Sequence, residues 1–277
     1  PVSSNEHKAV FVASDDENFV EIPTTAPIMV DKFVKKPGIC VFLLLACSMS
    51  CEKRAAKMDT SSLPRAEAAA ARVSPTLEEA LAEKNLQIGD KVFIRAFKEE
   101  KMLEFFIENR VTGRFELFRS YPIAAASGTL GPKVAEGDRQ VPEGFYSVPP
   151  SAMNPNSRFH LAFNIGYPNA LDRSLKRSGS AIMIHGDQVS IGCLAMTDEV
   201  IEEIYTLCTA AHSGGQADFS VHIFPFRMTP QRLDMEKNSK WHAHWSNLKQ
   251  GYDHFEENRR TPRVTAKSGF YHFEATE

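Results

Sequence analysis

Six stretches of the chain place aromatic, aliphatic and β-branched residues between turn signals. They are residues 91–97 (KVFIRAF), 102–109 (MLEFFIEN), 115–125 (FELFRSYPIAA), 159–164, 181–185 and 219–226 (FSVHIFPF). This composition favours β-strands. Between the third and fourth stretches, residues 128–148 carry glycine or proline every few positions, which excludes a helix and is typical of a loop. The pattern therefore predicts an α+β fold that is mostly β.

Helical periodicity follows the fifth strand. Apolar residues in the segment 200–211 recur three and four apart, and Thr197 stands where a helix cap is expected. Cys208 lies on this apolar stripe, so core packing is its preferred role. Thr229 and Pro230 begin a further, mostly polar helix, which is expected to pack its aromatic residues on the main domain.

Three histidines of that last helix raise the question of a metal. His242 and His244 are two positions apart and would point to different faces of a helix, so with His254 they make a poor ligand set. His222, in the strand 219–226, is interpreted as a hydrogen-bonded core histidine, with a position near the site as the alternative. The segment 263–273 can return as one more strand.

The N-terminal part is predicted to be a targeting signal. An apolar run at 39–46 (ICVFLLLA) follows a lysine-rich stretch and precedes Cys47, which is the order of a secretory signal. The run is about half of the roughly 20 residues that span a bilayer. A buried strand is the alternative. The sequence before Cys47 resembles a bacterial lipobox, with Cys51 as a second candidate, so we expect a periplasmic protein that is either free or lipid-anchored.

These observations give five segments. Residues 1–28 are an upstream extension before Met29, 29–47 a signal peptide with lipobox, 48–85 a linker with a short helix beginning at Pro75, 86–226 the main domain, and 227–277 a helical C-terminal extension. With 277 residues, 43% of them hydrophobic, the chain can bury one ordinary core. A net charge of −3 provides no basic field for nucleic acid, which is therefore not an expected partner.

The chemistry is concentrated in residues 182–198 (IMIHGDQVSIGCLAMTD), where His185 and Cys193 flank a glycine-containing turn. A histidine that takes the thiol proton turns a cysteine into an effective nucleophile. Their separation of eight fits a strand, a turn and a second strand, and backbone N–H groups at 191–193 are candidates for an oxyanion hole. The helix that follows Thr197 would lower the thiol pKa if its end pointed at the sulfur.

Two other interpretations of this pair remain. Core cysteines often have a histidine nearby, so the spacing alone does not decide between a core role and a nucleophile for Cys193. Zinc is disfavoured because third and fourth ligands are missing, and no cofactor is expected.

The paired motifs carry a resemblance to a known family. His185-Gly186, then Ser190-x-Gly192-Cys193, with GPKVAEGDRQVPEGFYSV upstream, resembles the catalytic (YkuD) domain of L,D-transpeptidases, and SIGCLAMTD is similar to its YafK-type subgroup. The resemblance implies a mostly β domain with a few helices. It also implies Cys193 as nucleophile, His185 as base or thiolate partner, and supporting roles for the residues Gly186, Ser190, Gly192, Lys133, Asp138 and Arg139.

The implied substrate is peptidoglycan. The thiolate of such an enzyme attacks the carbonyl of the third stem residue, usually meso-diaminopimelate, and passes the acyl group to an amine or to water. Peptidoglycan stem peptides, and a wall-attached lipoprotein, are thus the implied partners, with a membrane contacted only through a lipid anchor. Arg139 and Arg173 are candidates to meet stem-peptide carboxylates.

The sequence departs from the family pattern at two positions. Ile191 stands where many members have histidine, and Ala195 stands where they have arginine. These differences leave Cys193 and His185 in place but point within the subgroup toward hydrolysis, including lipoprotein release, alongside crosslinking. A catalytically inactive wall-binding module is the alternative from another class.

Overall fold

A computed structural model describes residues 63–275. Its elements, in order, are α1 (Arg65–Ala82), β1 (Val92–Phe97), β2 (Met102–Asn109), β3 (Arg114–Pro122), β4 (Ala125–Ala126), β5 (Gly144–Val148), a 3₁₀ turn (Pro150–Ala152), β6 (Met153–Asn154), β7 (Ala162–Asn164), α2 (Ala170–Ser174), β8 (Met183–His185), β9 (Leu194–Ala195), α3 (Asp198–Ser213), β10 (Phe219–Phe224), α4 (Pro230–Met235), α5 (His242–Asn258), β11 (Arg263–Lys267) and β12 (Phe270–Glu274). The predicted class, α+β and mostly β, is confirmed.

The longer strands form one five-stranded sheet in the order β3-β2-β1-β10-β5. We call it the large sheet. β1 and β10 are parallel, and the other pairs are antiparallel. Every residue of β1 is buried, because both faces of the sheet are covered. Ile94 and Val221 face one apolar cluster, which includes residues of α1 and α3, whereas Phe93 and Phe97 face the other side.

The C-terminal segment covers that second face. Trp245 and Leu248 of α5 and Tyr271 of β12 pack in one cluster with β10, and Phe255 packs on Phe93. The segment after residue 226 was predicted to hold one helix and one strand. Instead of the single strand, β11 and β12 pair as a hairpin. The predicted long helix is also broken into α4 and α5. These elements extend the core, since residues of α4, α5, β11 and β12 belong to or pack against the apolar cluster on this face of the sheet.

The N-terminal helix differs from the prediction. α1 begins at Arg65, ten residues before the predicted start, and Pro75 lies inside it. The prediction failed because the alanine-rich stretch shows little hydrophobic contrast, yet Ala69, Leu77 and Leu81 are fully buried. Small alanine side chains let α1 approach α3 closely.

A second sheet of very short strands lies in the order β4-β9-β8-β7-β6. We call it the small sheet; none of its strands exceeds three residues. β6 and α2 were not predicted. β4 begins at Ala125, the last residue of the predicted strand 115–125, and β9 is the second strand expected after the turn that follows His185. Cys208 is buried in α3, as its stripe position indicated. His222 is buried, as expected of a core histidine, and its ring packs between Phe93 and Phe145; in the described part of the chain its Nδ1 has no hydrogen-bond partner.

The predictions for the extension at 1–28, the signal and lipobox at 29–47, and the start of the linker lie outside the described residues. Across residues 63–275, no helix is long and apolar enough to cross a membrane. The same residues contain no group of three His, Cys, Asp or Glu side chains arranged to hold a metal ion.

Candidate active site

The small sheet brings His185 and Cys193 together. β8 and β9 are parallel neighbours, with Ile184 opposite Leu194 and His185 opposite Ala195. Cys193 lies directly before β9, two residues before Ala195, and continuing the alternation of a strand would place it on the face of His185. The sulfur contacts the backbone of Ala181 and Met183, and the described residues show no hydrogen bond between the two side chains. The backbone N–H of Met183 donates to Cys193 Sγ at 3.4 Å, which holds the sulfur over the start of β8.

His185 is fixed in one orientation. Its side chain is buried, and its Nδ1 lies 2.6 Å from the carbonyl oxygen of Gly186. A carbonyl oxygen only accepts, so Nδ1 carries the hydrogen and Nε2 of the neutral ring is left to accept a proton. The ring of Phe159 packs on the imidazole with centroids 4.7 Å apart. This tautomer is the one that a general base requires.

The electrostatics favour a neutral resting pair. Burial raises the pKa of the Cys193 thiol, and the Met183 N–H and the Lys133 ammonium only partly oppose it. Burial also lowers the pKa of His185 against the opposing effects of the Gly186 carbonyl and Asp187. The effect of the helix that follows Thr197 on the thiol pKa depended on where the helix end points, and it stays a prediction; the net direction is upward because burial is the largest influence. A neutral thiol would have to lose its proton as its sulfur attacks a carbonyl, and a neutral imidazole could accept that proton.

Two glycines make the turn possible. A Cβ on Gly186 would lie 2.4 Å from Asp198 Oδ1, because the turn passes close to the start of α3. Gly192 has a φ of +102°, a conformation that side chains rarely adopt. Its N–H donates to Ser127 Oγ at 2.6 Å, so the loop after β4 holds the turn from outside.

Ser190 fixes the backbone of the cysteine. Its hydroxyl donates to the carbonyl of Cys193 at 2.6 Å and accepts the N–H of Cys193 at 3.1 Å. Two of the N–H groups predicted for an oxyanion hole, those of Gly192 and Cys193, are therefore bound to serine hydroxyls in this state. Either group would change partner to bind an oxyanion.

The upstream segment contributes a buried ion pair. Lys133 Nζ lies 2.6 Å from Asp138 Oδ1 and also donates to the carbonyl of Ala135. Partial burial of the Asp138 carboxylate opposes ionisation, but Lys133 and three backbone N–H groups bring its pKa down to about 2. The side chain of Arg139 is exposed, while its carbonyl accepts the hydroxyl of Ser127. Lys133 and Asp138 thus shape the loop, and Arg139 faces solvent.

Four residues at the site were not identified from the sequence: Ser127, Phe159, Met183 and Asp198. Asp198 accepts the N–H of Asp187 at 2.8 Å and so holds the turn, whereas its position suggested only a helix start. Met183 acts through its backbone, which carries no signal in the sequence. Ser127 and Phe159 are more than 25 residues from Cys193, and only the pairing of short strands brings them close.

A groove of about 750 Å³ begins at Met183, whose N–H contacts the sulfur, and extends to Arg173. Its other walls include Ser151, Asn154 and Tyr167. Arg173 is exposed, and its guanidinium donates to the carbonyl of Pro168. The groove therefore carries a cationic residue and lies beside the segment that contacts the sulfur, although its lining includes neither Cys193 nor His185.

Fold and site together define a class: a mostly β domain with a cysteine and a histidine on one face of two paired parallel strands. The family model of YkuD, the L,D-transpeptidase catalytic domain, matches residues 91–223. The chain belongs to this family, which confirms the resemblance carried by its motifs. The family acts on peptidoglycan, and the function of this chain is related to peptidoglycan.

The chain is 45% identical over 184 residues to "Putative L,D-transpeptidase YafK" of Escherichia coli strain K12, covering 66% of this chain and 74% of the relative. The same figures hold for the protein of that name in strain O157:H7. Among solved structures, the helical cell shape determining protein Pgp2 of Campylobacter jejuni is similar at a TM-score of 0.40 and 18% identity, over 68% of this chain and 79% of Pgp2. Bd1075 of Bdellovibrio bacteriovorus has a TM-score of 0.35 and 17% identity, over 64% of this chain and 78% of Bd1075.

Proposed function

We propose that the chain is a periplasmic cysteine enzyme that cleaves or exchanges the bond after the third residue of peptidoglycan stem peptides, usually meso-diaminopimelate. The observation that carries the proposal is the pair itself. Cys193 and His185 share one face of the paired strands, and the bond from His185 Nδ1 to the Gly186 carbonyl leaves Nε2 as the proton acceptor.

The reaction proceeds in two acyl transfers. Nε2 of His185 takes the thiol proton while the sulfur of Cys193 attacks the substrate carbonyl carbon. The tetrahedral intermediate expels the attached amine, which leaves with the proton from His185, and a thioester on Cys193 remains. Water or an amine then gives a proton to His185, attacks the thioester and releases the thiol.

Water is the acceptor that we favour. Ala195 is fully buried in β9 opposite His185, and the exposed side chain at position 191 is an isoleucine, so neither position provides a polar group for an incoming amine. Hydrolysis at this bond would trim stem peptides or release a lipoprotein attached to the wall. The signal-like segment before residue 48 supports a periplasmic location, either free or lipid-anchored.

The groove supports a donor site. A stem peptide lying in it would place its carbonyl at Cys193 and a carboxylate at Arg173, whose guanidinium suits such a group. We expect Arg173→Ala to raise KM for a stem peptide about tenfold with little change in kcat, as the loss of one charged contact of about 1.4 kcal/mol implies. Lys176→Ala is the matched control, since Lys176 is exposed nearby but does not line the groove.

The first test is covalent labelling. A carbapenem acylates nucleophiles of this family, so intact mass should show one adduct on the wild-type protein and none on Cys193→Ala. An unlabelled wild-type protein under reducing conditions would contradict the mechanism and favour the second candidate, a wall-binding module without turnover.

The second test identifies the acceptor. Purified sacculi are incubated with the enzyme, and the muropeptides are then measured by mass. Shortened stems and lost lipoprotein remnants are the expected products. New crosslinks between stem peptides would instead assign an amine as the acceptor, and unchanged muropeptides would contradict both reactions.

A further inference from the structure

Helix α1 contacts the loop that packs on His185, although α1 lies outside the family-matched residues 91–223. Arg65, its first residue, reaches the loop before β7. One nitrogen of its guanidinium donates to the carbonyl of Ser157 at 2.6 Å and to that of His160 at 2.7 Å. Hydrogen bonds from a charged donor are the stronger kind, and here one side chain fixes two successive points of the loop.

Helix α3 holds the same loop from the other side. Glu202 lies 2.8 Å from His160 Nε2 and is itself bound by the guanidinium of Arg72 in α1 at 2.5 and 3.1 Å. The carboxylate is largely buried between these two partners. His160 has a φ of +63°, a left-handed conformation that costs a residue with a side chain about 1 kcal/mol or more, so the loop depends on such contacts.

The loop in turn fixes the histidine of the site. The ring of Phe159 packs on the imidazole of His185. The carbonyls of Phe159 and Leu161 both accept the N–H of Gly186, at 3.1 and 3.2 Å. Because the carbonyl of Gly186 receives the hydrogen of His185 Nδ1, the position of the loop determines where the imidazole sits.

We propose that Arg65 and Glu202 are positioning residues for His185, and that α1 is therefore a working part of this active site. The brace runs from α1 and α3 through the loop 157–161 to Gly186 and His185. The proposal rests on the proposed function, in which His185 is the base. Its effect on rate follows from geometry, since a displacement of about 1 Å at a catalytic group can cost on the order of 100-fold.

The experiment compares two neighbouring glutamates of α3 in the full chain. Glu202→Gln removes the charge from the brace, whereas Glu203→Gln removes it from an ion pair with Arg119 that does not touch the loop. The rate of Cys193 acylation by meropenem is measured by intact mass at increasing concentration. Glu202→Gln and Arg65→Ala should each lower the maximal rate about tenfold at an unchanged half-saturating concentration, and Glu203→Gln should acylate as wild type.

Two further readouts separate positioning from general stability. Arg65→Lys keeps a charged donor and should recover most of the rate lost in Arg65→Ala. The ¹⁵N signals of the His185 ring, measured without substrate, should shift in Arg65→Ala and Glu202→Gln but not in Glu203→Gln. This second readout holds even if the wild-type protein is not acylated, an outcome that would refute the proposed function alone. Wild-type rates and unshifted ring signals in both brace variants would overturn the brace.

Discussion

The two sheets of this protein are built differently. Strands of the large sheet are five to nine residues long, and the central ones are buried on both faces. Strands of the small sheet have two or three residues and are held mainly by side chains and loops around them, such as Ser127 on Gly192 and Asp198 on Asp187. The large sheet carries the stability, and the small sheet carries the candidate chemistry.

Different interactions hold the residues of the two sheets in position. In the large sheet, apolar area buried along whole strands supplies most of the stability, beside the buried ion pair of Arg95 and Glu104. In the small sheet, too few residues are paired for that, so single hydrogen bonds determine the position of Cys193 and His185. Damage to one sheet should therefore lower stability, and damage to the other should lower the rate.

The largest effect is expected at the base. His185→Gln keeps a donor for the Gly186 carbonyl but cannot take the thiol proton. Acylation of Cys193 by a carbapenem should fall by about 10²- to 10⁴-fold, the usual contribution of a general base. The melting temperature should change little, because the amide fills most of the ring's space. An unchanged acylation rate would remove His185 from the mechanism.

The converse change is Phe93→Ala in the large sheet. Phe93 is fully buried and packs against Phe106, Phe115 and Phe255. Its loss should lower the free energy of unfolding by about 3–5 kcal/mol, measured in urea. The folded fraction should acylate at the wild-type rate. Phe270→Ala, at an exposed phenylalanine of the hairpin, is the control and should cost less than about 1 kcal/mol. A rate loss in Phe93→Ala at full folding would contradict the division between the sheets.

A smaller effect is expected at the turn of the small sheet. Asp198→Ala removes the acceptor of the Asp187 N–H. That N–H and the Gly186 carbonyl belong to one peptide group, so the carbonyl that orients His185 would be held less firmly. We expect an acylation rate about tenfold lower, on the order of 1.4 kcal/mol in the barrier. Glu199→Ala is the control. It removes a carboxylate from the same first turn of α3, but Glu199 does not bind the backbone of the turn after His185. The variant should therefore match Asp198→Ala in melting temperature and acylate at the wild-type rate. Equal rates in the two variants would show that the bond does not matter.

The smallest effect is expected from pH across the neutral range. The pKa of His185 lies below its ordinary 6.5, and that of Cys193 lies above its ordinary 9.0. The base is active once it is neutral, so the acylation rate should fall only as the pH drops below 6.5 and should stay flat up to about pH 9. A rate that climbs steadily between these values would instead indicate a reaction limited by free thiolate.

The sequence indicated much of this, and its failures have physical causes. The strands at residues 92–97 and 219–224 were predicted because long runs of aromatic and β-branched residues favour strands. The motif around His185 and Cys193 was identified from its residue types. β6 was missed because two residues carry no periodicity. α1 was begun too late because alanines bury area without showing contrast. The roles assigned to Cys193 and His185 remain predictions until acylation is measured.

By itself, the sequence determined the class of fold, the family and the residues that could do the chemistry, because composition and motif spacing are local properties. Tertiary contacts were needed to establish that the thiol and imidazole are neutral at rest and that α1 contacts the loop packed on His185. These are consequences of burial and of contacts between residues distant in the chain. The pKa of a side chain depends on every group packed around it, and a local sequence pattern does not contain that information.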